Sequence, residues 1–213
     1  NGQIANKMDG NRDLNVVARV TYPFVIGSQI IEPGIQAYTG KWAFTGEISS
    51  GVIVNDPQYV KDQRVGATFV LYPKPFGILA EYNVGNGPEF DKWADSITTQ
   101  RLHGGFITAS YKMDFNGQTL IPFVRYQKYD GGKKHELDAR SYEVVELEIG
   151  AEWQWNKNFE LVIMYTMSSR RFEDYAKLNN SQRGNLLRIQ AQVNFYETSA
   201  ILLDCYYIFY KPF

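Results

Sequence analysis

The chain holds one cysteine, Cys205, and two histidines in 213 residues. A single cysteine excludes an intrachain disulfide framework and a multi-cysteine zinc site, and by itself fixes no redox compartment. His103 and His135 have no partner at metal-ligand spacing, so neither metal nor cofactor is expected. No apolar run is long enough for a transmembrane helix, which leaves strands as the only means of crossing a bilayer. The net charge is −1, so no global field selects nucleic acid or an acidic partner. Gly-x-Ser-x-Gly, His-Glu-x-x-His, P-loop and dinucleotide signatures are all missing, and catalysis is not expected. No signal peptide opens the chain and Asn1 is not a natural start, so the expectation is that further sequence precedes it.

What is abundant is aromatic side chain: 15 Tyr, 13 Phe and 4 Trp. These residues favour strands and, in membrane barrels, interfacial girdles. Their placement is periodic. In "VVELEIGAEWQW" (144–155) Val145, Leu147, Ile149, Ala151, Trp153 and Trp155 alternate with Glu146, Glu148, Gly150, Glu152 and Gln154. Successive strand side chains point to opposite faces, so one face is apolar and the other rich in carboxylates. The same period recurs in "NVVARVTYPF", "IIEPGIQAY", "RVGATFVLYP", "FGILAEYNVG", "HGGFITASYK", "TLIPFVRYQKY", "FELVIMYTMSSR" and "LLRIQAQVNF". No segment keeps a helical period. The expectation is an all-β antiparallel chain of about nine strands.

The connections alternate in length. Short turns are expected at 27–29, 73–75, 114–117 and 156–158, and long polar loops at 40–62, 86–101, 130–142 and 171–184. Outer-membrane barrels alternate short periplasmic turns with long extracellular loops, whereas a sandwich needs no such regularity. Strand after strand carries Arg, Glu, Gln and Asn on its polar face, and the apolar faces end in aromatics such as Phe24, Phe76, Tyr111, Trp155 and Phe159. The preferred solution is therefore a transmembrane barrel with the glutamates facing the lumen. An odd strand count ending downward at Phe195 places the first strand downward too. A bacterial barrel has an even count with both termini in the periplasm, so earlier strands are expected. Residues 1–196 read as the C-terminal part of one barrel domain. Residues 197–213 read as an atypical extension, either non-native sequence or a tenth strand.

Several stretches resemble the phosphate-selective porin O/P family, above all "LIPFVRYQKYDGGKK" and "YPKPFGILAEYNVGNGPEFD", with "EPGIQAYTG", "LHGGFITASYK", "ELEIGAEWQ" and "LLRIQAQVNF" in the order of its C-terminal half. The resemblance implies a sixteen-stranded outer-membrane porin of Gram-negative bacteria that forms a homotrimer and passes small anions such as phosphate. The arginine ladder to which such porins owe selectivity does not align residue by residue here.

The face assignments make Arg19, Arg64, Lys112, Arg125, Arg170 and Arg188 the basic lining and Glu32, Glu81, Glu146, Glu148, Glu152 and Glu160 the acidic lining. Arg presents a planar fork that matches phosphate oxygens, and a ring of such charges sets pore selectivity. The alternative is that these residues pair across strands and hold the wall together. Lys133, Lys134 and Arg140, with His135, form a candidate extracellular mouth, and Arg170–Arg171 belong with them. Asp56, Asp62, Asp91 and Asp95, placed in long loops, are a weaker calcium candidate without an Asp-x-Asp-x-Asp-Gly pattern. The row Glu146, Glu148 and Glu152 could resemble a glycosidase acid/base pair but lacks a nucleophile arrangement or a substrate platform. Two further functions stay open: a soluble carbohydrate-binding β module, separable by solubility without detergent, and a plugged structural or adhesive barrel, separable by conductance.

Overall fold

The computed structural model describes residues 14–48, 50–133, 139–173 and 180–195. They form one antiparallel sheet: β1 (Val16–Thr21), β2 (Phe24–Ile26), β3 (Gln29–Glu47), β4 (Ile53–Leu71), β5 (Phe76–Asp91), β6 (Ser96–Tyr111), β7 (Met113–Phe115), β8 (Gln118–Gly132), β9 (Ser141–Asn156), β10 (Phe159–Phe172) and β11 (Asn180–Val193). The path is β1-β3-β4-β5-β6-β8-β9-β10-β11, with β2 on β3 and β7 on β8. β2 therefore continues β1 past Pro23, which has no N–H for the ladder, and β7 continues β6 past Lys112. Nine positions along a meander result, as the alternation predicts. The residues 197–213 lie outside the described residues.

Turn chemistry explains the tight end of the sheet. Asn116 and Gly117 both have positive φ (48° and 76°), the pairing that a two-residue hairpin turn of type I′ demands. At 156–158 the Asn156 side chain accepts hydrogen bonds from the backbone N–H of Asn158 (2.8 Å) and Phe159 (3.0 Å). At the other end the structure corrects the loop expectation. Residues 40–47, 53–62, 86–91 and 96–101 are strand, not loop, and the strands flanking the four expected loops end and resume at Glu47 and Ile53, Asp91 and Ser96, Gly132 and Ser141, and Phe172 and Asn180. β3 and β4 are 19 residues each, about 63 Å at ~3.3 Å per residue, roughly twice a bilayer core of ~30 Å. The polar segments stay in strand because hairpin pairing continues beyond any membrane.

The two faces have opposite exposures. Residues paired directly across a ladder share a face. One transverse row reads Ile31, Leu71, Ile78, Ala109, Val124, Ile149, Tyr165 and Leu187; its neighbour on the other face reads Glu32, Val70, Leu79, Thr108, Arg125, Glu148, Thr166 and Leu186. The apolar face is the open one: Ile149 is 52% exposed, whereas Gln127 and Thr166 on the polar face are at 7% and 6%. A soluble sandwich would bury the first and expose the second. The apolar band runs from Phe76 to Val84 on β5 and from Val145 to Trp155 on β9, near the ~9–11 residues that a tilted strand needs to span a bilayer. Aromatic pairs gather at the short-turn end: Tyr22–Phe24 (4.7 Å between centroids), Phe76–Tyr111 (4.9 Å) and Trp153–Trp155 (5.2 Å).

Above the band the polarity reverses. The β4–β5 ladder stops at Gln63–Asn86 and the β6–β8 ladder at His103–Asp130, so the upper β3–β4 and β5–β6 hairpins leave the common sheet. Trp42, Phe44 and Val60 lie on the same strand face as Gln36 and Arg64, now turned into a small core. Phe44, Ile48, Val60, Phe90, Ile97 and Ala139 are buried there, with Trp42 and Val54 against them. Each large member stabilises the extension by about 2 kcal/mol. The Phe90 N–H donates to the Ala139 carbonyl (2.9 Å), joining the β5–β6 hairpin to the connection after β8.

Candidate functional site

The polar face is a hydrogen-bonded wall arranged in rows about 7 Å apart, two residues along each strand. In the upper row Gln36, Gly66, Asn83, Gly104 and Tyr129 alternate large and small. The glycines are needed for close approach: a Cβ on Gly66 would stand 2.0 Å from Asn83 Oδ1. Gln36 Nε2 donates to Glu81 Oε1 (2.9 Å) and to Asn83 Oδ1 (3.0 Å), and Asn83 Nδ2 donates to Glu81 Oε1 (2.6 Å). One row lower, Glu146 accepts from Gln127 and from Ser168 Oγ (2.8 Å). In the next row Arg125 Nε lies 3.9 Å from Glu148 Oε2, and Thr166 Oγ1 donates to Glu148 Oε1 (3.4 Å). The Arg125 guanidinium sits over the Phe106 ring, 4.3 Å from its centroid.

The predicted basic lining divides in two. Arg64 grips Asp62 through Nε (2.9 Å) and Nη2 (3.2 Å), Lys112 lies 3.2 Å from Asp114 Oδ2, and Arg125 faces Glu148. Arg19, Arg170 and Arg188 are exposed and have no carboxylate at ion-pair distance among the described residues. Register places Arg170 in the row of Asn83 and Tyr129, Arg125 two rows lower, and Arg188 one row below that, beside Met164. Of the acids, Glu32 accepts from the Tyr72 hydroxyl (3.0 Å) and Glu152 from Gln154 Nε2 (2.6 Å). Glu160 stands across from Gln154, one row from Glu152. Of the acids closest to mid-height, Glu81 and Glu146 share one row and Glu148 stands in the next.

At the loop end, Lys133 Nζ lies 4.4 Å from the Tyr142 ring centroid and Arg140 Cζ 5.7 Å from that of Phe172. Lys134 and His135 lie outside the described residues. Arg170 and Arg171 do not act together: strand alternation turns Arg170 to the polar face, whereas Arg171 pairs with Glu143 (3.3 Å) and Glu173 (2.7 Å). The loop carboxylates are also corrected. Asp62 is a fully buried β4 residue bound to Arg64, and Asp91 Oδ1 caps the turn by accepting from the N–H groups of Trp93 and Ala94. Burial pushes the Glu89 carboxyl above its ordinary range, with Asp130 and Glu173 adding to the shift and a Ser141 hydrogen bond and Arg171 opposing it.

Sequence reasoning set Asp62 among loop carboxylates and missed it as the partner of Arg64, although the two stand two apart and so share a strand face. It also passed over Gln36, Asn83, Gln127 and Ser168, which carry no charge and yet hold Glu81 and Glu146 in place. A wall of this composition is suited to conducting hydrated ions beside paired charges. The family model described as phosphate-selective porin O and P matches residues 43–195, more than half of the chain. No curated protein and no solved structure matches it.

Proposed function

This chain belongs to the phosphate-selective porin O and P family, and on that premise we propose that its polar face lines a water-filled outer-membrane pathway for passive diffusion of small anions, phosphate among them. The observation that carries the reading is the inverted sheet: an exposed apolar band of bilayer height backed by a face of Arg, Glu, Gln and Asn on which Gln127 and Thr166 are buried. Family membership supports a channel over an enzyme. The barrel is completed to sixteen strands and associates as a homotrimer in an outer membrane.

The mechanism uses the chain's own cations in series. Lys133, Lys134 and Arg140 gather anions at the extracellular mouth. Arg170, Arg125 and Arg188 then offer successive pairing points over roughly 20 Å, three row spacings of about 7 Å each. Arg19 and the engaged Arg64 and Lys112 complete the positive lining. Glu32, Glu81, Glu146, Glu148, Glu152 and Glu160 keep each stay brief, since conduction needs binding weak enough for release. Reversal potential across a KCl gradient in a planar bilayer tests this. A chloride-favouring potential with current reduced by added phosphate supports it. A cation-favouring potential assigns the field to Glu81, Glu146 and Glu148 and removes the anion reading. A non-conducting barrel would favour a plugged structural role.

A further inference from the structure

Just above the apolar band, the outward surface of β3–β6 differs from that of β8–β10. On β8–β10 the cations are matched: Lys128 Nζ is 3.6 Å from Glu143 Oε1, and Arg171 reaches both Glu143 and Glu173. On β3–β6, one to two ladder rows further from the short turns than Glu143 and Arg171, the outward residues include Lys61, opposite Lys41, and Arg101, opposite Asn86. Lys61 and Arg101 are exposed. By alternation the outward positions from 39 to 45, 59 to 65, 84 to 88 and 99 to 103 hold no acid. Of the nearby carboxylates, Asp62 points to the opposite face and is held by Arg64, while Asp130, outward and opposite His103, lies at ion-pair distance from no cation among the described residues.

Immediately on the short-turn side lies an apolar groove of about 470 Å³, within the size of small-molecule sites. Ala18 and Ala37 pair across the β1–β3 ladder and form its low floor, while Val16, Val65 and Val84 form its walls. Its upper edge is polar: Gln63 Nε2 donates to Thr39 Oγ1 at 2.9 Å, beside Asn86. A trough of alkyl surface ending at a polar step with cations just beyond is complementary to an anionic amphiphile.

We propose that this face holds one phosphorylated lipid of the extracellular leaflet, with its phosphate on Lys61 and Arg101 and an acyl chain in the groove over Ala18 and Ala37. A free phosphate would make no use of the alkyl trough. A second copy of the chain would have to bring acids to Lys61 and Arg101 and to cover about 800 Å², well beyond the groove. The inference rests on the apolar face meeting lipid and is independent of what the pore conducts.

The test expresses the protein into a Gram-negative outer membrane, extracts it in mild detergent, removes lipid, and titrates diphosphoryl lipid A by native mass spectrometry. The wild-type chain should take up one lipid with preference over its dephosphorylated form. The double variant K61Q/R101Q should bind about 30-fold more weakly, from ~1 kcal/mol per basic residue at a membrane surface, and should lose the preference for phosphate. A37W, which fills the trough, should reduce uptake of both forms. Planar-bilayer conductance of K61Q/R101Q should equal wild type, because both side chains point away from the pore. Wild-type binding that ignores the phosphates, or equal binding by K61Q/R101Q, overturns the proposal. So does a change of oligomeric state in A37W with lipid uptake unaltered, which assigns the face to a second copy. Wild type that binds lipid without conducting leaves this inference standing and removes the pore reading alone.

Discussion

The Arg125–Glu148 pair gives the sharpest handle on conduction. At 3.9 Å the two groups present a nearly neutral dipole to the lumen, and each is oriented by a neighbour, Phe106 under Arg125 and Thr166 beside Glu148. E148Q removes the negative end, keeps the side-chain volume, and leaves Thr166 an acceptor. An anion passing ~5 Å from the released guanidinium in water gains about 0.8 kcal/mol, or roughly fourfold in local concentration. The anion-to-cation permeability ratio from reversal potentials in a KCl gradient should therefore rise about fourfold. R125Q should lower it by a similar factor, since Glu148 then acts alone. The double variant R125Q/E148Q should return near the wild-type ratio, with a coupling that a double-mutant cycle measures directly. Raising KCl toward 1 M should compress all of these differences, because the screening length falls to ~3 Å. An E148Q pore with the wild-type ratio, normally inserted and conducting, would refute the placement of this pair beside the ion path.

Three other outcomes are expected. D62N deprives Arg64 of a buried bidentate partner; because Arg64 is partly exposed, the loss should be about 2 kcal/mol rather than the 3–5 of a fully buried pair, read as a lower urea midpoint of the folded barrel. G66V should push Asn83 from its place against Gln36 and Glu81, costing about 2 kcal/mol from two displaced hydrogen bonds, whereas a substitution of Gly184, which has nothing near its Cβ, should be nearly silent. Burial raises the folded-state value of Glu89 above that of the unfolded chain; the folded hairpin then binds more protons, so its stability is greatest below the unfolded value of about 4.3 and falls as pH rises through the folded one. Tryptic cleavage at Lys92 should accelerate over that interval, and E89Q should flatten the dependence.

The lower half of the molecule was legible in the sequence because one physical condition, lipid on one side and water on the other, holds along every strand there. Val145 to Trp155 and Leu187 to Val193 read without ambiguity. The upper half was not legible for the converse reason. Past Tyr38 the apolar residues Trp42 and Phe44 move onto the face that carried Gln36. A period-2 reading of β3 cancels across that switch, and the polar segments looked like loop. The charged lining was legible as a set but not as partners. Arg64 and Lys112 looked equivalent to Arg170 and Arg188 in sequence, yet cross-strand register and the two-residue spacing to Asp62 and Asp114 engage the first two and leave the others exposed.

The switch of polarity along β3 and β4 also fixes how deep the protein sits. Each strand carries a graduated scale, apolar outward up to Ala37 and Val65, then Thr39 and Gln63, then Lys41 and Lys61. A bilayer thicker by one ladder row would have to cover the two lysines, and cations on the lipid face of a barrel cost up to ~2–4 kcal/mol each as they approach the midplane. A thinner one would leave Ala37 and Val65 wetted. Membranes differing by a few ångströms therefore do not hold this chain equally well, and thickness becomes a means of sorting it. The upper hairpins, by contrast, can lengthen or shorten by residue pairs above that mark while the wall below keeps its register.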